Sequence, residues 1–211
     1  MVFECTVPNF YPIVDTATAA EAILEAGARI IQFRHKGIFS RQVFEEAEKI
    51  ATLCRDAGAL FVVNDRADIA MLLDAALHLG QDDLPPADAR RIMPPGRIIG
   101  FSTHNADQLR AGDREPVDYL AIGPIFGTTS KQNPDPVIGI DGLRALRPLT
   151  KKPLVAIGGI TRETAPAVFD AGADSVAIIG DLYPHPLTKA LLRARAEEWL
   201  AICSSRKSRP R

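Results

Sequence analysis

The sequence predicts an α/β fold: a (β/α)8 TIM barrel, eight parallel strands closed on themselves with helices between them. Three observations carry this. The pattern of helix, Ala-Gly, apolar strand occurs three times, at Ala26-Gly27, Ala57-Gly58 and Ala171-Gly172; glycine suits the left-handed position that closes a helix, so each marks a helix-to-strand junction. Eight short apolar runs begin near residues 10, 29, 59, 76, 97, 118, 153 and 174, and helical patterns separate most neighbours, which argues for parallel strands with right-handed crossovers. The competing architecture is an open doubly wound sheet, but no Gly-x-Gly-x-x-Gly follows the first strand and the units are similar in size. At 211 residues the chain stands at the low end for a barrel. It reads as one domain over residues 1–203 with a basic, frayed tail over 204–211.

The elements follow in order. Phe10-Tyr-Pro-Ile-Val14 is the first strand. Thr18-Ala-Ala-Glu21 has capping-box spacing, so a helix is expected from there to Gly27. Arg29-Ile-Ile-Gln-Phe33 is the second strand. Ser40 can cap a second helix in which Val43, Phe44, Ala47, Ile50, Ala51 and Cys54 share one face. Ala59-Leu-Phe-Val-Val63, Ala76-Leu-His-Leu79 and Arg97-Ile-Ile-Gly-Phe-Ser102 are the next three strands, and Thr103-His-Asn105 can cap the helix after the last of them. Asp118-Tyr-Leu-Ala-Ile122, Lys152-Pro-Leu-Val-Ala-Ile157 and Asp174-Ser-Val-Ala-Ile178 complete the barrel. A final helix is expected over 186–201, packed on the barrel by Trp199. His78, between Leu77 and Leu79, reads as a satisfied core histidine rather than a ligand.

Composition excludes several classes. The chain is 46% hydrophobic and 24% charged, which is globular. A net charge of −1 gives no basic field for nucleic acid. No apolar run reaches membrane-span length. Three cysteines, Cys5, Cys54 and Cys203, without a basic-then-apolar leader fit a reducing cytoplasm and no disulfide framework. His35, His104 and His185 show no metal spacing, and there is no Gly-x-Ser-x-Gly, Walker loop or cysteine pair.

Barrel sites lie at the C-terminal ends of the strands, and polar residues collect there. Gln32, Arg34 and Lys36 alternate after the second strand, where a buried parallel strand should be continuously apolar. Asn64 and Asp65 follow the third strand, where they could instead cap the next helix. Asp83 follows the fourth, where a surface turn would also explain it. Ser102 closes the fifth. After the sixth comes Gly123-Pro-Ile-Phe-Gly-Thr-Thr-Ser-Lys131, whose Thr128, Thr129, Ser130 and Lys131 offer short hydroxyls and a point charge on permissive backbone, the makings of a phosphate cradle. Gly158-Gly159 and Ile179-Gly180 follow the seventh and eighth strands, where barrels often hold phosphate on backbone N–H groups; plain turn chemistry is the other reading. Asp65 and Asp83 together can supply two carboxylates to a hard cation such as Mg²⁺, leaving positions for water and substrate phosphate.

These residues, taken together, resemble the thiamine phosphate synthase family. The matching stretches are Gln32-Phe-Arg-His-Lys36, Val63-Asn-Asp-Arg66 with Ala67-Asp-Ile-Ala70, His78-Leu-Gly-Gln-Asp-Asp83, Gly100-Phe-Ser-Thr-His104, Gly123 through Lys131, and Ile157-Gly-Gly-Ile160. They run in family order from about Tyr11 to Gly180. The resemblance implies a C–N bond-forming transferase on two phosphorylated small molecules, with no nucleic-acid or membrane partner and a homodimer left open. A hydroxymethylpyrimidine diphosphate loses pyrophosphate, dissociatively, and a thiazole phosphate nitrogen captures the exocyclic methylene. By resemblance, Asp65 and Asp83 hold Mg²⁺. Arg34, Lys36, Asn64 and Lys131 contact the diphosphate, and Gln32 and Ser102 the pyrimidine region. Thr128, Thr129, Ser130, Gly159, Ile179 and Gly180 form the thiazole phosphate site, and Arg34, Lys36, Ser102 and Lys131 are the catalytic set. Such chemistry needs charge neutralisation on the leaving group but no strong base, which accounts for the lack of a conspicuous catalytic His or Cys.

The chain departs from the family at two positions. His35 stands where an acidic residue is usual, and Gly180 where a serine is common. Three other readings compete. A thiazole tautomerase on the same barrel would need the thiazole site alone. A non-catalytic phosphate-ligand sensor would not need the carboxylates. A sugar-phosphate isomerase would want an acid/base pair facing a carbon.

Overall fold

A computed structural model describes residues 7–128 and 135–204. Each strand is short and almost wholly buried, as parallel strands covered on both faces must be. The strands are β1 (Phe10–Val14), β2 (Ile30–Phe33), β3 (Leu60–Asn64), β4 (Ala76–Leu79), β5 (Ile99–Thr103), β6 (Tyr119–Ile122), β7 (Leu154–Ile157) and β8 (Ser175–Ile178). All pair in parallel with their sequence neighbours, and β1 pairs β8, which closes the barrel. The fold is the (β/α)8 barrel expected.

The helices are α1 (Ala17–Glu25), α2 (Arg41–Asp56), α3 (Ala67–Leu72), α4 (Pro86–Ile92), α5 (Ala106–Arg114), α6 (Gly139–Leu146), α7 (Ala165–Asp170) and α8 (Lys189–Ser204). They lie outside the barrel, and their buried residues join the outward-facing strand residues in the larger apolar layer. A smaller layer fills the barrel itself, with Tyr11, Ile13, Ile30, Val62, Tyr119, Ala121 and Val155 among its members. Trp199 packs α8 on the barrel as expected, stacked on Phe10 with centroids 6.0 Å apart. No helix among the described residues is long and apolar enough to cross a membrane.

Several boundaries move. The cap of α1 is Thr16, whose side chain accepts from Ala19 N at 3.3 Å, and not Thr18. Glu21 is therefore free of a capping role and pairs with Lys189 instead. Ser40 and Asn105 cap α2 and α5 as expected. The last helix runs over Lys189–Ser204 rather than 186–201. Strands β6 and β8 start one residue after their aspartates because those carboxylates serve a neighbour. Asp118 accepts from Ile99 N at 2.7 Å and Asp174 from Leu154 N at 2.8 Å. Arg90 and Arg147 then pair with the same two carboxylates. This device satisfies strand-start donors at the N-terminal face, where barrel residues serve stability. Cys5 and residues 205–211 of the basic tail lie outside the described residues.

Candidate active site

The C-terminal ends of the strands open onto one cavity of about 720 Å³. Gln32, Arg34, Lys36, Asn64, Asp65, Asp83, Ser102, Thr128, Gly159, Ile179 and Gly180 all line it. Thr129, Ser130 and Lys131 lie outside the described residues.

One wall is charged. Asp65 sits just beyond β3 at φ 65°, a left-handed conformation that costs an L-residue about 1 kcal/mol or more. Its N–H donates to His78 O at 2.8 Å, which holds it there. Its carboxylate pairs with Lys36 Nζ at 2.8 Å. The capping reading of Asn64 and Asp65 fails, because the residue before α3 is Arg66 and no side chain caps that helix. Asn64 Nδ2 is buried without a partner, so its donor remains for a bound acceptor. Asp83 Oδ2 accepts from Gly80 N at 2.7 Å, a turn bond that also fixes the carboxylate at the rim. Burial, and next the hydrogen bond shared with Asp65, hold the Asp83 carboxyl above the usual carboxylate range. Burial draws Arg34 below its ordinary value, with the Asp65 charge opposing; a guanidinium remains charged regardless.

This carboxylate pair fits a hard cation. Two adjacent carboxylates resist joint ionisation, and a cation relieves that as well as a shared proton does. Their oxygens suit Mg²⁺, which takes few protein ligands and completes its shell with water and phosphate. No group of three or more His, Cys, Asp or Glu able to hold a metal occurs among the described residues, so a closed protein cage is not what the wall offers.

The facing wall is backbone. Ile125 N donates to Ile157 O at 2.9 Å and Phe126 N to Gly158 O at 2.9 Å, which lays the segment after β6 along the segment after β7. That approach needs glycine. A Cβ on Gly158 would lie 2.6 Å from Pro124 Cα, and one on Gly159 2.3 Å from Gly127 O. Gly180 opens a 3-10 turn after β8, and a side chain there would meet nothing within 4 Å. The departure at this position therefore reflects no lack of room. His35 packs edge-on against Phe39 and does not line the cavity.

The floor is a hydrogen-bonded chain. Gln32 Nε2 donates to Tyr11 Oη at 2.8 Å, Tyr11 Oη meets Tyr119 Oη at 2.7 Å, Tyr119 Oη meets His78 Nδ1 at 2.8 Å, and His78 Nε2 meets Ser102 Oγ at 2.9 Å. His78 is thus satisfied at both nitrogens, as expected, and also lines the cavity. Burial brings its imidazole down to about 4, with Asp65 opposing and Lys36 reinforcing.

Sequence reasoning missed four contributors. Tyr11 and Tyr119 lay inside apolar runs and gave no signal. Asp181 lines the cavity and is held by Arg162 Nε at 3.0 Å. His104 Nδ1 lies 2.7 Å from Gly123 O and 3.5 Å from Asp135, tying the end of β5 to both sides of the segment after β6; only its place after β5 could have flagged it.

Comparison with known proteins agrees with this geometry. A family model described as thiamine monophosphate synthase matches residues 10–182. Thiamine-phosphate synthase of Koribacter versatilis (strain Ellin345) is 46% identical, over 94% of this chain and 97% of that one. The enzyme of the same name from Chloroflexus aurantiacus is 44% identical over 75% and 74%. Among solved structures, thiamine phosphate pyrophosphorylase from Pyrococcus furiosus superposes with a TM-score of 0.82 at 32% identity, covering 93% of this chain and 96% of that one. By its barrel, its matching stretches and these relatives, the chain belongs to the thiamine monophosphate synthase family.

Proposed function

We propose that this protein is a thiamine phosphate synthase, a transferase that joins hydroxymethylpyrimidine diphosphate to a thiazole phosphate with release of pyrophosphate. The observation that carries the reading is one cavity with two unlike walls: Lys36, Arg34, Asn64 and two carboxylates on one side, glycine backbone on the other. One substrate brings a diphosphate and the other a monophosphate, and each wall suits one of them.

Arg34, Lys36 and the unpaired amide of Asn64 bind the diphosphate, and Lys131 is assigned there too. Gln32 and Ser102 orient the pyrimidine. Thr128, with Thr129 and Ser130, joins Gly159, Ile179 and Gly180 around the thiazole phosphate. Asp65 and Asp83 would hold Mg²⁺, which when bound supplies charge neutralisation on the leaving pyrophosphate. In the reaction the methylene C–O bond breaks, its electron pair leaves with pyrophosphate, and the thiazole nitrogen lone pair forms the new C–N bond. Lys36 and Arg34 face the charge that develops on the leaving oxygens. The nucleophile carries no proton to remove, so the buried neutral His78 needs no role as a base. Holding both substrates in one cavity supplies proximity. The free Cys54 and Cys203 suit a reducing compartment, and we place the enzyme in the cytoplasm.

The test is an omission series. Pyrophosphate should appear only when both substrates and Mg²⁺ are present, and Asp65→Asn should lower turnover by about 10²-fold or more while far-UV circular dichroism is unchanged. A tautomerase would instead transform the thiazole phosphate alone. An Asp65→Asn variant with full turnover would remove the metal role given to that carboxylate.

A further inference from the structure

Four charged side chains close a ring behind the turn that follows β8. Arg162 Nε donates to Asp181 Oδ2 at 3.0 Å, and Arg162 Nη1 donates to Glu198 Oε2. Arg195 Nε lies 3.3 Å from the same Glu198 oxygen, and Arg195 Nη1 donates back to Asp181 O at 2.8 Å. The ring ties together the segment after β7, the 3-10 turn Gly180–Leu182 and α8. The side chains of Asp181, Arg162 and Arg195 are 15%, 24% and 21% exposed, so water and salt screen these charges less than they screen a surface pair.

Of the four, Asp181 lines the cavity and the other three do not. Asp181 follows Gly180 directly, so it brings a negative charge to the place where the proposed function puts a phosphate dianion. A carboxylate stripped of its partner there would oppose the anion with its full charge. Arg162 stands behind the cavity wall and cannot hold the phosphate itself. It can cancel the Asp181 charge, and Glu198 helps it do so: a planar guanidinium has its donors in a fixed fork, so the bond from Nη1 to Glu198 aims Nε at Asp181. Arg195 acts differently, because its bond to the main-chain oxygen of Asp181 holds the turn and leaves the carboxylate charge untouched.

We propose that Arg162 is a positioning residue that cancels the Asp181 carboxylate from behind and so makes the cavity beside Gly180 receptive to a phosphate dianion. That the dianion is a thiazole phosphate rests on the function proposed above; receptiveness to inorganic phosphate does not.

The test is a titration of ¹⁵N-labelled protein with inorganic phosphate at pH 8 and low salt, following the Gly180 amide. Wild type should show a saturable shift of that amide; no shift overturns the proposal, whatever the enzyme turns over. Arg162→Gln should raise the phosphate Kd by about tenfold or more, the effect of an uncovered charge beside a dianion. Adding Asp181→Asn should return the Kd to within about threefold of wild type, because the opposing charge goes with its partner. A merely structural Arg162 would leave the double variant as weak as the single one, and that result overturns the proposal. Asp181→Asn alone should bind phosphate at least as tightly as wild type. This arm needs no Arg162 variant to fold, and weaker binding overturns the proposal as well. With turnover established, Arg162→Gln should raise the KM for thiazole phosphate by a similar factor. An unchanged KM beside a weakened phosphate Kd supports the charge balance and refutes the thiazole assignment of Gly180.

Discussion

Gly159→Ala separates the two walls of the cavity. The native φ is +62°, so an alanine there costs about 1–2 kcal/mol of backbone strain. The new Cβ would also sit 2.3 Å from Gly127 O, where real Cβ atoms essentially never come within 3.0 Å, so backbone must shift by roughly 0.7 Å. Gly127 is next to Thr128, so the shift is delivered to the proposed monophosphate cradle. A displacement of this size, far from the bond being made, can cost about 10²-fold in rate. The fold should survive, with an overall loss of about 2–3 kcal/mol against a domain stability of about 5–15 kcal/mol. Steady-state kinetics with each substrate varied in turn is the assay. The KM for thiazole phosphate should rise at least about tenfold while that for the pyrimidine diphosphate changes less than about threefold. Equal effects on both substrates, or none on thiazole phosphate, would refute the assignment of this backbone wall.

Two further outcomes follow from the site. His78 has a folded value of about 4 against an ordinary 6.5, so the unfolded chain binds more protons between those pH values and stability falls as pH drops through them. Metal-free wild type should lose about 3 kcal/mol relative to His78→Gln between pH 7 and pH 4 in urea titrations; parallel curves would contradict the burial given to this ring. Gly180→Ser places a side chain in open space, so stability should stay within about 0.5 kcal/mol. The added hydroxyl should lower the KM for thiazole phosphate by about two- to tenfold, the worth of one hydrogen bond; a raised KM would show that residue 180 is not at that phosphate.

The barrel was legible because its signals are local. Gly27, Gly58 and Gly172 do take positive φ at helix ends, and the apolar runs did become strands. The cavity was legible because a parallel barrel sends the end of every strand to one face, so position along the chain stood in for position in space. What escaped was set by contacts across the barrel. Tyr11 and Tyr119 are 108 residues apart and look like core aromatics until their hydroxyls meet. Thr16 and Thr18 are equally good caps by residue type, and only backbone extended at Thr16 decides between them. Asp65 was legible as a carboxylate but not as a left-handed residue, because that conformation is imposed by the strand end and by His78 O. The pairing of Arg162 with Asp181 joins two loops 19 residues apart whose approach depends on the barrel closing.

The decisive measurement is ³¹P NMR of the purified protein with equimolar pyrimidine diphosphate, thiazole phosphate and Mg²⁺. The coupled diphosphate signals should give way to free pyrophosphate while the monoester signal persists, and thiamine phosphate should be recovered in equal amount. A spectrum in which the diphosphate is unchanged, or is hydrolysed with no thiamine phosphate formed, would contradict the function assigned to this cavity.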